Sequence, residues 1–209
     1  MPLSNSIGTP AILLAAGMSR RMGKHKMLLP FGDRPMVARV IDSLLASGIV
    51  SGITVVTGHA EQEITELAAN YDDVVCVHNP CYAESGMLSS VKIGVLALPP
   101  TCVAFFLVLG DQPMVRPETL LALCFEWHSE DAPIVVPSHC GKRGHPVLIS
   151  SSFVDDILAL GESDTLKSLM LSHAKSIREV PVDDPATVHD IDTPEDYEAA
   201  LRRWRCTGG

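Results

Sequence analysis

The sequence has no apolar run close to the roughly 20 residues that cross a bilayer. Its opening stretch, 1–10, carries neither the basic cluster nor the long apolar centre of a secretory signal. A membrane span is therefore not expected, and the expected location is the cytoplasm. Positive charge is also in short supply: 16 Lys and Arg face 25 Asp and Glu, for a formal net charge of −9. Phosphate backbones demand a basic face, so a general nucleic-acid binder is not expected either. Paired cysteine motifs are missing. Cys76, Cys81, Cys102, Cys124, Cys140 and Cys206 are scattered without any C-x-x-C, which argues against a disulfide framework and against zinc. Cys140, beside Gly141-Lys142-Arg143, could line a site but has no base partner in the sequence. His59, His78, His128, His139, His173 and His189 show no metal-ligand spacing. Repeats, low-complexity tracts and long linkers are absent, so one domain spanning 1–209 is expected, with 1–9 as a flexible amino-terminal tail.

What is present is alternation. Apolar strand-like runs at 11–15, 53–57, 74–78, 103–109, 134–137, 146–149 and 177–180 alternate with amphipathic segments at 36–47, 61–70, 88–98, 117–129, 151–160, 165–171 and 194–203. Thr193 followed by Pro194, Glu195 and Asp196 is a helix start, and Gly48 and Gly161 are plausible stops. Nearly continuous apolar strands between helices predict an α/β fold with a mostly parallel sheet covered on both faces. The segment 137–150 is expected to be an excursion from it. Ligands of such sheets bind beyond the carboxyl ends of the strands, which directs attention to the loops there.

The first of these loops is Leu14-Ala15-Ala16-Gly17-Met18-Ser19-Arg20-Arg21-Met22-Gly23-Lys24-His25-Lys26. Small residues let the backbone approach a ligand closely, Gly17 permits a turn, and successive N–H groups can cradle an anion. Arg20, Arg21, Lys24, His25 and Lys26 concentrate positive charge in an otherwise acidic chain, with Arg21 and Lys26 the best phosphate candidates. Two known phosphate motifs fail here. Five residues rather than four separate Gly17 from Gly23, and His25 follows Lys24 where a P-loop has Ser or Thr; position 19 is Ser where a dinucleotide fingerprint has Gly.

Transfer between anionic phosphates requires charge neutralisation, for which carboxylate-held Mg²⁺ is the usual device. Asp111 lies just past the run 103–109, in Gly110-Asp111-Gln112-Pro113, where Pro113 stops the strand. Asp190 and Asp192 fall on one side of an extended stretch before the 194–203 helix. Because Thr193 can cap that helix, the two aspartates are free for a metal. Asp111 and Asp192 are the expected ligands, direct or through water, with Asp190 as a third candidate.

The pattern L-A-A-G-x-S-x-R-M-G-x-x-K, together with G-D-Q-P and D-I-D-T-P-E-D, resembles the MobA-like nucleotidyltransferase family, and the ordered matches run from Leu13 to Asp196. The resemblance implies a three-layer α/β/α sandwich with a Rossmann-like sheet of the nucleotide-diphospho-sugar transferase type, and a triphosphate on the first loop (Leu14, Ala15, Ala16, Gly17, Arg21, Lys26). It makes Asn79 to Ser90 the base-binding segment, through Gly86, Ser89 and Ser90. Arg143-Gly144-His145-Pro146 resembles the acceptor-side motif of the molybdenum-cofactor cytidylyltransferase (MocA-like) branch, with His145 suited to orient a phosphate or to act as an acid–base group. Ala16, where guanylyl-transferring members tend to have Gly, implies CTP. The substrates implied are CTP and molybdopterin, with a molybdenum hydroxylase receiving the product. Transfer to a sugar or polyol phosphate and a non-catalytic cofactor-delivery role are the alternatives; the absence of a repeat domain after Gly209 disfavours a bifunctional sugar-nucleotide enzyme.

Overall fold

Strand β1 (Thr9–Leu14) decides the architecture. Its side chains alternate: Ala11 and Leu13 enter one apolar cluster, Ile12 and Leu14 the other. A period-2 strand with both sets buried must be covered on both faces. β6 (Ala104–Leu109) repeats the pattern, with Ala104, Phe106 and Val108 on the first side and Phe105 and Leu107 on the second. The computed structural model describes residues 8–130, 133–161 and 163–206. Of the expected tail 1–9, residues 1–7 lie outside the described residues, whereas Thr9 already belongs to β1.

After β1 come a small hairpin, β2 (Pro30–Phe31) and β3 (Arg34–Pro35), then α1 (Met36–Ala46), β4 (Val50–Thr57), α2 (Glu61–Ala68), β5 (Val74–His78) and α3 (Met87–Leu96). β6 is followed by α4 (Pro117–Glu130), β7 (Ile134–His139), β8 (Lys142–Arg143), β9 (Val147–Ser150), α5 (Val154–Ala159), α6 (Leu166–Ser172), β10 (Ile177–Pro181) and α7 (Pro194–Cys206). The main sheet has the order β10-β7-β9-β6-β1-β4-β5, with β8 paired to β7. Helices α1, α2 and α4 supply Val37, Ile41, Ile64, Leu120 and Leu123 to one face; α3, α5 and α6 supply Val91, Val95, Ile157, Leu166 and Leu169 to the other. The result is the three-layer α/β/α sandwich. Each such fully buried aliphatic or aromatic side chain contributes about 2 kcal/mol of burial free energy. No helix among the described residues is long and apolar enough to cross a membrane.

β1 runs parallel to β4 and β6, β4 to β5, and β10 to β7, whereas β9 is antiparallel to both β6 and β7. The stretch 137–150 is thus no excursion: β9 sits inside the sheet and β8 extends β7. The reversal has a consequence for position. The carboxyl ends of β1, β6 and β10 and the amino end of β9 meet at one edge. Asp111 and His145 lie on the chain at the ends of β6 and β9, and the longer loops after β1 and β10 return Lys26 and Asp192 to Asp111.

A third, smaller cluster joins α7 to the hairpin: Phe31, Met36, Ile191 and Ala200, with Tyr197, Leu201 and Trp204 packed against it. The Tyr197 hydroxyl donates to the Pro30 carbonyl, and the Arg39 guanidinium lies over the Trp204 ring at 4.7 Å. α7 starts as its sequence predicts. Asp196 Oδ2 accepts from the Thr193 N–H at 2.9 Å while the Asp196 N–H returns to Thr193 Oγ1 at 3.2 Å, a reciprocal cap. Thr193 therefore discharges the capping role and leaves Asp192 to face the cleft.

Candidate active site

The loop after β1 is closed by Ser19 rather than by Gly17. Ser19 takes a left-handed backbone (φ 52°), and its hydroxyl accepts from the Lys26 N–H at 3.1 Å. Gly23 supplies the other left-handed residue, at φ 64°. At Gly17 the sequence-based reason for glycine does not hold: its φ is not positive, and a Cβ there would meet nothing within 4 Å. What Gly17 leaves is space, since it lines two adjoining cavities. One, of about 230 Å³, is walled by Leu14, Ala16, Gly17, Lys26, Tyr82, Gly86, Ser90 and Asp111, among others. The other, of about 380 Å³, includes Gly17, Ser19, Arg20, Arg21, Lys26, Tyr82, Ser85 and Asp192. Together they form a cleft from the start of α3 to the charged loop. Ala15 does not reach it. Its side chain is buried in the core and its N–H is spent on the Val56 carbonyl at 2.9 Å.

The charged centre is tight. Lys26, only 7% exposed, directs Nζ to Asp111 Oδ2 at 2.7 Å, Asp192 Oδ1 at 2.9 Å and the Ile191 carbonyl at 3.1 Å. Arg21, extended over the surface, reaches the other oxygen of Asp192 at 2.8 Å. Three loops far apart in sequence thus meet at one ammonium. Burial opposes the charge on Lys26, but Asp111 and Asp192 outweigh it and hold its pKa above the ordinary value. Burial pushes the Asp111 carboxyl up, only partly offset by Lys26. At Asp192 burial works upward as well, yet the bonds from Lys26 and Arg21 prevail and its pKa lies below the ordinary value.

The second oxygen of Asp111, Oδ1, is buried and has no hydrogen-bond partner. An orphaned carboxylate oxygen at the floor of a cleft, beside a second aspartate, suits a divalent cation. Among the described residues no group of three or more His, Cys, Asp or Glu could hold a metal. A cation held by Asp111 and Asp192 would then take its remaining oxygens from a ligand's phosphates and water, the usual arrangement for Mg²⁺. Asp190 stands behind this pair, its Oδ1 accepting from Gln112 Nε2 at 2.9 Å. A separate groove of about 450 Å³ beneath α7 shares Gln112 and Asp190 with this centre but not Lys26, Asp111 or Asp192.

The other sequence-selected residues divide. Gly86 precedes α3, and Gly86 and Ser90 line the 230 Å³ cavity. Ser89 is turned aside: its hydroxyl accepts from Asn79 Nδ2 at 2.8 Å, and it lines a different cavity with Lys92 and Leu160. His145 is brought near Asp111 and Asp190; burial lowers its pKa, with those two charges acting against the shift. Arg143 is not brought there, since its guanidinium pairs with Glu179 at 2.7 Å on the exposed edge of the sheet. Gly144 is packed so closely that a Cβ would lie 2.1 Å from the Thr187 carbonyl oxygen. Cys140 is exposed at the β7–β8 turn with φ 50°. His25 stacks on His59 at 5.1 Å, with both ring nitrogens buried and unpartnered, and burial lowers its pKa.

The sequence did not single out Tyr82 or Gly58. Tyr82 lines both halves of the cleft, and Gly58 lets it come close: a Cβ at Gly58 would lie 2.4 Å from the Ala16 carbonyl and 2.8 Å from Tyr82 Cβ. The glycine after a buried strand was the available signal.

Comparison with known proteins bears on this geometry. Residues 11–177 match the MobA-like NTP transferase domain. The molybdenum cofactor cytidylyltransferase of Escherichia coli (strain K12) is 31% identical over 194 residues, covering 92% of this chain and 95% of that protein. The 2-aminoethylphosphonate cytidylyltransferase of Lancefieldella rimae is 33% identical over 123 residues, covering 54% of this chain and 49% of that protein. Among solved structures, Rv0371c of Mycobacterium tuberculosis H37Rv superposes with a TM-score of 0.78 at 27% identity, over 93% of this chain and 98% of that one. Its complex with manganese gives a TM-score of 0.74 at 26% identity, over the same shares of the two chains, 93% and 98%. By the match over residues 11–177, by the similarity to the Escherichia coli enzyme and by its three-layer α/β/α sandwich, the chain belongs to the MobA-like NTP transferase family of nucleotidyltransferases.

Proposed function

We propose that the protein, acting as one domain over 1–209 in the cytoplasm, transfers CMP from CTP to the terminal phosphate of molybdopterin in a Mg²⁺-dependent reaction. An oxygen of the acceptor phosphate bonds to the α-phosphorus of CTP as the bond from that phosphorus to pyrophosphate breaks, and no covalent enzyme intermediate is required. The product would pass to a molybdenum hydroxylase. The observation that carries the reading is the convergence of Lys26 on Asp111 and Asp192 at the floor of the cleft. The similarity to the Escherichia coli enzyme supports CTP and the acceptor, and the manganese complex of the mycobacterial relative supports a divalent ion.

Asp111 and Asp192, with Asp190 behind them, would hold Mg²⁺, which when bound neutralises and aligns phosphate oxygens. Arg21, whose side chain is 67% exposed, is free to swing onto a triphosphate. Lys26 exchanges part of its carboxylate bonding for a phosphate oxygen while staying charged, because its neighbours hold its pKa up. Leu14, Ala16 and Gly17 admit the nucleotide closely, and Gly86 and Ser90 face the base. On the acceptor side His145 is close enough to feel the Asp190 and Asp111 charges and, with its pKa lowered by burial, is suited to accept or orient a proton as a neutral ring. Positioning and fixed charge are the whole catalytic device, and one such contact is worth about 3 kcal/mol of barrier.

The direct test is pyrophosphate release from CTP with molybdenum cofactor, with and without Mg²⁺. Release dependent on both substrates and on Mg²⁺ supports the reading; release with a different phosphate or phosphonate acceptor and none with the cofactor overturns it. That second outcome has its own support, because Arg143 is engaged by Glu179 and only His145 remains of the acceptor motif in the site.

A further inference from the structure

Gln112 has no assigned role, yet it is 4% exposed and both of its amide N–H groups are committed. Nε2 donates to the Thr187 carbonyl at 3.1 Å and to Asp190 Oδ1 at 2.9 Å. These acceptors sit three residues apart on the segment that carries Asp192. That segment has two other backbone ties, one to the turn that carries Asp111 and one to His145. The Ile191 N–H donates to the Asp111 carbonyl at 3.1 Å, and the His145 N–H donates to the Thr187 carbonyl at 2.9 Å. Gly144 allows the approach, since any side chain there would collide with Thr187. One amide nitrogen with two N–H groups thereby binds the main chain at 187 and the carboxylate at 190 together.

We infer that Gln112 is a positioning residue: its amide locks the 187–192 segment onto the 110–113 turn and so fixes Asp190 and Asp192 relative to Asp111. The inference rests on the reading of Asp111 and Asp192 as the divalent-ion site. Gln112 does not touch the ion; it holds the segment that carries Asp192, and it ties Asp190 Oδ1 behind the pair. Residues that orient metal-binding groups in this way are commonly worth 10- to 100-fold in metal affinity.

The test uses the full chain with Gln112→Met, which keeps the length of the side chain and removes both donors, and Gln112→Asn, whose amide falls one methylene short. Mn²⁺ binding in the presence of CTP is read by electron paramagnetic resonance, CTP binding without metal by calorimetry, and folding by thermal melting. The expected result is Mn²⁺ affinity weakened about tenfold, with metal-free CTP binding changed by less than about twofold. If either variant does not melt cooperatively, the other decides. A lowered melting temperature with unchanged Mn²⁺ affinity overturns the inference, because it would make Gln112 only a structural tie. Equal losses of Mn²⁺ and metal-free CTP binding overturn it too, as general disorder of the cleft. Failure of the unaltered protein to bind Mn²⁺ with CTP overturns instead the functional reading beneath it.

Discussion

The two ends of the cleft are built on different principles. At the end proposed to take the triphosphate, Asp111 and Asp192 each lie within 3 Å of the buried Lys26 ammonium, and Arg21 lies within 3 Å of Asp192. At the end proposed to take the acceptor, the consecutive residues Arg143, Gly144 and His145 diverge, to a surface ion pair, a packed backbone contact and a half-buried ring. Neighbours in sequence are thus no guide to neighbours in a site when a strand ends among them: β8 stops at Arg143, and Gly144 and His145 follow before β9 begins, free of strand alternation. The contrast places the charge at the first end, and of the three residues at the second only the His145 ring lies near Asp111 and Asp190.

Substitution at the two ends should separate them sharply. Asp111→Ala is expected to lower the rate of pyrophosphate release about a hundredfold or more while the protein still melts cooperatively. Full activity in that variant would put the metal elsewhere. Lys26→Met should follow closely in rate and also cost about 2 kcal/mol of stability, since it leaves a mostly buried Asp111 facing Asp192 without a cation. Denaturant titration should show Mg²⁺ restoring part of that loss. Gly144→Ala should cost about 2 kcal/mol, because its Cβ forces the Thr187 carbonyl, and with it the Asp192 segment, to move. Arg143→Ala should be the mildest, within about 1 kcal/mol in stability and twofold in acceptor KM, as for other exposed ion pairs. A large rise in acceptor KM there would show that Arg143 leaves Glu179 to meet substrate.

Acid should weaken the fold through the same buried groups. His145 and His25 have pKa values lowered in the folded state from 6.5. Above pH 6.5 both are neutral whether folded or unfolded and cost nothing. As pH falls below 6.5 the unfolded chain takes up the protons first, so stability declines until the folded-state pKa values are passed. Melting temperatures measured between pH 7.5 and 5.5 should fall, and fall less in His145→Asn than in the unaltered protein.

The parts of this picture that were legible in the sequence are those carried by period and charge. Continuous apolar runs at 11–15 and 103–109 marked buried strands, and a basic loop and G-D-Q-P at their ends marked the site. Strand direction left no such trace: the run at 146–149 reads alike whether it lies parallel or, as found, antiparallel to its neighbours. The β2–β3 hairpin is too short to show a period. Ser19's left-handed backbone has no signature in its residue type, and Gln112, whose bonds reach 75 and 78 positions along the chain, depends on tertiary partners that no local pattern reports. Gly17 lines the cleft, but what it contributes there is room rather than a turn.

The central claim is that Lys26, Asp111 and Asp192 form a metal-dependent triphosphate site. Calorimetric titration of the protein and of Asp111→Ala with CTP, each with and without Mg²⁺, tests it most directly. The account predicts that Mg²⁺ tightens CTP binding at least tenfold in the unaltered protein and has no such effect in Asp111→Ala, equivalent to about 1.4 kcal/mol of coupling. CTP affinity indifferent to Mg²⁺ in the unaltered protein, or an undiminished Mg²⁺ effect in Asp111→Ala, would contradict it.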